Sequence, residues 1–339
     1  MKTAAPLVRA LVDPGSVQSL TGEAWTDLLA LAHGERLIGT LASRLSGQSL
    51  PRAIAEALNQ ASIQAEFSRT QALWEVEMAR RALAATGIPL ILLKGSAFAL
   101  ANLPPTAGRF IGDLDIIVPG ADLARAEAAL LAAGWAWLKP DAYTDLYYRR
   151  WMHELPPLAH RERGTMIDVH HTILPLTARR TPDAAALIAG SVEIAPGIRI
   201  LCPADIVIHA ATHLIADGDL AGGLRNLWDI DRLLRSFGEH PDFWATLRTR
   251  AALHQMSEPV ARALRLSRTL YETPVDPQIA DRARFSDRLF VRRLLARDGW
   301  GREVRPFTRI AFYIRSHWMR MPPLMLARHL WIKATGSHA

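Results

Sequence analysis

Cysteine is nearly missing from this chain: Cys202 is the single one in 339 residues. A disulfide within the chain is therefore excluded, and the count suits a reducing compartment, so a cytoplasmic location is expected. No run of 18 uninterrupted apolar residues occurs, which argues against a membrane-spanning helix. The opening "MKTAAPLVRALVDPG" lacks a signal-peptide apolar core followed by a small-residue cleavage site, so no export signal is expected. Acid is missing from one long stretch. From Val304 to the end there are Arg305, Arg309, Arg315, Arg320, Arg328 and Lys333, and no Asp or Glu. Those six charges set against a net charge of +7 leave +1 for the rest of the chain. Basicity belongs to the tail and not to the whole surface, and it offers no extended groove for a nucleic-acid template.

What is present is a chain that is 50% apolar, enough for a sizeable core, and a length that suggests about two domains. There is no internal repeat and no low-complexity linker. Residues 1–85 read as helical, because "AWTDLLALAHGERLIGTLASRL" and "PRAIAEALNQASIQAEFSRTQALWEVEMARRALAATG" space apolar residues at three and four, with Gly87 as the stop. The texture then changes. "IPLILLKGS" reads as a buried strand turning sharply at glycine, "AFALANL" as a short helix, "GDLDIIVPG" as a strand, "DLARAEAALLAAGW" as a helix and "GTMIDVHHTIL" as another strand. From about residue 203 helix returns, beginning with "PADIVIHAATHLIAD". The expected class is α+β: a small mixed sheet over 86–200, flanked by an N-terminal helical region (1–85) and a C-terminal helical domain with a basic tail (201–339).

"RFIGDLDIIVP" raises the chemical question. Side chains alternate across a strand, so Asp113 and Asp115 share a face while Leu114 and Ile116 point oppositely. Two neighbouring carboxylates repel, and each is costly to desolvate, so a positive group is expected between them. Magnesium, or manganese, suits carboxylate oxygens. "LLKGS" places Gly95 and Ser96 where a strand meets a helix, a position at which backbone amides can hold phosphate oxygens. Asp168 in "MIDVHH" is a third aspartate within an apolar strand. If the two strands are neighbours, three carboxylates converge, and such a trio can hold two ions and run an in-line displacement at phosphorus.

The set "LLKGSAFALANLPPTAGRFIGDLDIIV" followed by "IDVHH" resembles the uncharacterised bacterial nucleotidyltransferase family of the DNA polymerase β-like superfamily. The resemblance covers roughly residues 75–235, and the helices after them more weakly. It implies a nucleotidyltransferase core in which Asp113, Asp115 and Asp168 hold the metals and Asp168 helps deprotonate the attacking hydroxyl. Gly95 and Ser96 would grip the triphosphate of an NTP such as ATP. Lys94 and Arg109 match basic positions of the family, and a phosphate contact is inferred for both. Leu103 and His171 stand where an aromatic and a tryptophan are common.

Other patterns were weighed against this set. Lys94-Gly95-Ser96 is no P-loop, since lysine precedes glycine and the upstream segment is a strand. "HAATH" puts His209 and His213 on one helix face, but Ala210 replaces the glutamate a zinc protease needs. Packing or capping is the simpler role for both, and lining a substrate pocket the other. His170 shares the strand face of Asp168 and could approach the site or support a carboxylate from behind. The Arg109–Asp115 pair could be a plain salt bridge. Cys202 reads as structural. The tail could lie weakly on an anionic membrane, although an ordinary helix pair broken at Pro322-Pro323, with solvated arginines, is the simpler reading.

Two classes of function follow. One is an enzyme moving a nucleoside monophosphate from an NTP to a hydroxyl, releasing pyrophosphate. Its acceptor is a small molecule, glycan, peptide or protein that the sequence does not specify. The alternative is a non-catalytic or regulatory nucleotide-binding module acting through a protein or membrane partner.

Overall fold

The computed structural model describes residues 3–138, 142–281, 284–327 and 331. Four helices open the chain: α1 (Ala5–Val12), α2 (Gly22–Gly34), α3 (Ile38–Arg44) and α4 (Arg52–Leu83). α4 runs for 32 residues because Ala, Leu, Glu, Gln and Arg dominate it, and it buries Leu58, Ala61, Ala65, Ala72, Val76, Ala79 and Leu83 at helical spacing. A short 3-10 turn and left-handed Gly87 end it. The apolar stretch over residues 25–45 is not continuous helix. Leu37 N–H donates to Ala32 O, Arg36 N–H donates to His33 O, and Arg36 adopts φ +56° between them. This is a Schellman stop built without glycine.

A seven-stranded mixed sheet follows, in the order β3-β4-β5-β2-β1-β7-β6. Its strands are β1 (Leu90–Leu92), β2 (Asp113–Ile117), β3 (Trp135–Trp137), β4 (Leu158–His160), β5 (Met166–His170), β6 (Val192–Ala195) and β7 (Ile198–Ile200). β2 runs parallel to β5 and antiparallel to β1. Four helices lie among the strands: α5 (Lys94–Leu100), α6 (Leu123–Ala132), α7 (Ala142–Trp151) and α8 (Ala184–Ala189). The strand containing the aspartate pair and the strand containing Asp168 are where the periodicity predicts them. β3, β4, β6 and β7 are additional, and each has only three or four residues.

After the sheet come α9 (Pro203–Ala211), a π-helical turn (Thr212–Asp217), α10 (Gly223–Phe237), α11 (Phe243–Leu253), α12 (Ser257–Tyr271), α13 (Asp287–Leu294) and α14 (Pro306–Arg320). One apolar core joins all three stretches of the chain, from Leu28 and Leu41 through Ile91, Ile116 and Val169 to Val207, Leu227 and Leu264. Burying each such side chain contributes about 1.5–3 kcal/mol, so the flanking helices are fastened to the sheet by many comparable terms.

The basic tail is partly inside this description. α14 packs inward through Phe312, edge-on to Phe290 at 5.0 Å, and Thr177 Oγ1 donates to Arg320 O at 2.6 Å. Arg315 departs from the expectation of solvated arginines: its guanidinium lies over Phe290 and donates to Ile215 O at 2.8 Å. Arg328 and Lys333 lie outside the described residues. Among the described residues no helix is long and apolar enough to cross a membrane.

Candidate active site

Strand register brings the three aspartates together. In the parallel β2–β5 pair Asp115 stands opposite Asp168, with Asp113 two residues earlier on the same face. One carboxylate oxygen from each of the three lies within 4.8 Å of the others. The three are graded in depth: Asp113 is exposed, Asp168 half-buried and Asp115 1% exposed. On the opposite face Leu114 and Ile116 are buried in the core, which fixes the register, since a one-residue slip would bury Asp113.

Lys94 supplies the positive group that the paired carboxylates require. Leu93 N–H donates to Asp115 O at 2.9 Å, anchoring the β1–α5 turn against β2, and Lys94 Nζ then donates to Asp115 Oδ1 at 2.6 Å. The sharp turn expected at glycine occurs one residue earlier, at Lys94, whose φ is +47°. A non-glycine residue pays about 1–2 kcal/mol for that conformation. Gly95 has another duty. A Cβ there would lie 2.2 Å from Arg109 Nη1, so its missing side chain is the seat of the Arg109 guanidinium. Ser96 is fully buried, and its Oγ has no hydrogen-bond partner among the described residues. It is thus withdrawn from the position in which its hydroxyl would grip a triphosphate.

Arg109 does not pair with Asp115. Its Nε donates to Asp229 Oδ2 at 3.2 Å, and Asp229 Oδ1 accepts from Arg225 Nη2 at 2.7 Å. Arg225 also donates to Thr40 Oγ1 at 2.6 Å, tying α10 to α3. Burial pulls the Arg225 pKa down to about 10. Sequence reasoning passed over Arg225 and Asp229. Their signal was an i, i+4 opposite-charge pair on the apolar face of an amphipathic helix, where no unpaired charge is tolerated.

A cavity of about 700 Å³ opens beside these groups, lined by Lys94, Arg109, Asp113, His209, His213 and Asn226 among others. Both histidines of "HAATH" therefore line the cavity, the less simple of the two roles weighed for them. Burial, and then the Lys94 charge, push His209 well below the usual imidazole range. On the other side of the trio His170 Nε2 lies 3.0 Å from Asp115 Oδ1, and its Nδ1 lies 3.3 Å from Glu154 Oε2. Glu154 is a second residue that sequence reasoning missed.

The charges are unevenly balanced. Burial alone would raise the Asp115 pKa, but Lys94 and His170 together outweigh it and hold the carboxyl well below its usual range. Asp168 moves the other way. Burial, reinforced by the charge of Asp115, pushes it up to about 6. Its negative charge is poorly compensated, and the trio consists of hard oxygens with an exposed member at a cavity mouth. That donor set fits magnesium or manganese.

A family model described as an uncharacterised nucleotidyltransferase matches residues 21–272. The chain belongs to that family. The match extends beyond residues 75–235 in both directions and takes in Gly34 and Arg36, at and just after the end of α2, which line the cavity together with Arg225, Asn226 and Asp229 of α10. No curated protein sequence matches the chain. In this nucleotidyltransferase the helical flanks are thus part of the family unit and supply residues to the cavity.

Proposed function

We propose that the protein transfers a nucleoside monophosphate from an NTP to a hydroxyl of an acceptor and releases pyrophosphate. The observation that carries this reading is the pairing of Asp115 with Asp168 across β2 and β5, with Asp113 beside them at the mouth of a cavity. Asp113, Asp115 and Asp168 would hold magnesium, or manganese. Bound there, such ions neutralise phosphate charge and lower the pKa of a coordinated hydroxyl.

The chain's own groups account for the remaining work. Asp168, on the strand beside Asp115, would take the proton of the acceptor hydroxyl, whose acidity a bound ion would raise. The acceptor oxygen then forms its bond to the α-phosphorus as the bond to pyrophosphate breaks. Lys94, at the same edge of the cavity, would neutralise phosphate charge there. Arg109 is held by Asp229 and presents its remaining nitrogens to the phosphates without having to be ordered first. Helix α10 and the His209–His213 face form the wall for the acceptor, which is a small molecule, glycan, peptide or protein and not a template-paired nucleic acid. The lone cysteine favours action in a reducing cytoplasm.

The test is a thermal-shift panel of the four ribonucleoside triphosphates with magnesium, on wild type and Asp115→Asn, followed by incubation with α-labelled nucleotide and a lysate. A magnesium-dependent shift lost in the variant, with label appearing on an acceptor, supports the transferase. A shift without any label transfer favours the regulatory nucleotide-binding reading.

A further inference from the structure

Behind the carboxylate trio lies a second cluster with different donor chemistry. His153, Glu154 and His170 each offer one ligand atom, all within 4.8 Å of one another. Glu154 Oε2 is the centre: it is 3.3 Å from His170 Nδ1 and 3.8 Å from His153 Nε2. Around an ion with bonds of about 2.0–2.1 Å, tetrahedral ligand atoms sit about 3.3–3.4 Å apart. The Glu154–His170 distance is therefore already at ligand spacing, and the Glu154–His153 distance is about half an ångström longer.

Backbone bonds hold it there. His171 N–H donates to His153 O and Leu155 N–H to Val169 O, both at 2.9 Å, and Glu154 forms an antiparallel bridge with His170. The two imidazoles are stacked, with centroids 5.3 Å apart, so both rings border the same carboxylate.

The decisive atom is His170 Nδ1. His170 is 2% exposed, and this nitrogen makes no hydrogen bond among the described residues although a carboxylate oxygen lies 3.3 Å away. Its other nitrogen is committed to Asp115 at 3.0 Å. His170 Nδ1 thus faces Glu154 Oε2 across 3.3 Å with no hydrogen bond between them, and a cation there would satisfy both atoms. A carboxylate that orients a histidine whose far nitrogen binds a metal is the usual support of an imidazole ligand.

We infer that His153, Glu154 and His170 form a binding site for a divalent transition ion of the zinc class, distinct from the carboxylate trio. Two imidazole nitrogens and one carboxylate oxygen select zinc or cobalt over magnesium, whereas the three aspartates prefer the harder ion. The two sites share His170 as a strut: the ion on Nδ1 fixes the ring, and the ring fixes Asp115. The inference does not depend on the transferase reading, because it needs neither nucleotide nor turnover.

Cobalt titration of the full-length, chelator-stripped protein tests it. Wild type should gain a visible d–d absorption band at one equivalent of Co²⁺, which Zn²⁺ displaces and a large excess of Mg²⁺ does not. Glu154→Gln, close in shape to the native residue, and His153→Ala should each weaken binding at least about tenfold. Asp113→Asn should keep the band. Circular dichroism of each variant separates lost binding from lost folding, and the isosteric Glu154→Gln carries the decision if His153→Ala unfolds. Absence of a band in wild type overturns the site. A band lost in Asp113→Asn but kept in Glu154→Gln also overturns it, because the ion then sits on the trio.

Discussion

Lys94 and Asp115 link the β1–α5 turn to the carboxylate strand: Nζ lies 2.6 Å from Oδ1, on a lysine held in a left-handed conformation. The lysine occupies a carboxylate oxygen that a magnesium ion would also use. Lys94→Ala should therefore lower the melting temperature of the magnesium-free protein, because it leaves Asp115 buried with less compensation. Magnesium should restore more stability in this variant than in wild type, while nucleotide affinity falls. Thermal melts with and without magnesium, and then with nucleotide, check both halves.

Asp168 gives a pH signature. Its pKa is raised from 3.8 in the free residue to about 6 in the fold, so the native state holds the proton more tightly than the unfolded chain does. The contribution of this residue to stability is thus most favourable below about pH 4 and is lost as pH rises to 6 and beyond. Denaturation midpoints of metal-free protein measured from pH 4 to 7 should show this decline, superimposed on other titrations. Asp168→Asn should remove that component, and saturating magnesium should suppress it by favouring the ionised carboxylate.

Gly95→Ala should unseat Arg109, since the new methyl would lie 2.2 Å from Nη1. The clashing atom is the tip of a flexible side chain, so the stability loss is expected to stay below about 1 kcal/mol, together with weaker NTP binding. Combined with Arg109→Ala, which removes the clash, the two losses should fall short of additive. Urea denaturation of the four proteins in the cycle measures the coupling.

Asp229→Ala should be among the most damaging changes outside the carboxylate trio. It strips Arg225, 6% exposed, of its carboxylate partner and releases Arg109 as well. Leaving a buried guanidinium uncompensated costs about 3–5 kcal/mol. A loss of unfolding free energy smaller than about 1 kcal/mol would show that water relieves Arg225 in the variant.

The strands carrying the aspartates were legible because a run such as "DLDIIV" has one reading in a buried sheet, and alternation then assigns the two carboxylates to one face. The fold class and the helical flanks followed from spacing in the same way. The short outer strands β3, β4, β6 and β7 were not legible. Three residues of "WAW" or "IRI" give no period, and pairing with neighbours creates them. Near the site, the sequence places Gly95 beside a strand end but cannot show that Arg109 lies against it, because the two are brought together by tertiary packing. Glu154 was missed for a similar reason, since a lone charge in a loop acquires meaning only when its buried partner is known, whereas Arg225 and Asp229 showed their own pairing in the i, i+4 spacing and lacked only the link to Arg109.

The Arg109–Asp229 pair also sets an order of events during synthesis. Its members are 120 positions apart, and the pair between Glu35 and Arg297 spans 262. The carboxylate strands emerge from the ribosome well before the helix that seats Arg109, and the latch between α2 and residue 297 closes later still. A nascent or truncated chain ending before Asp229 assembles its aspartates without the fixed guanidinium, and the complete cavity, which Arg297 and Glu303 also line, waits for synthesis to pass residue 303.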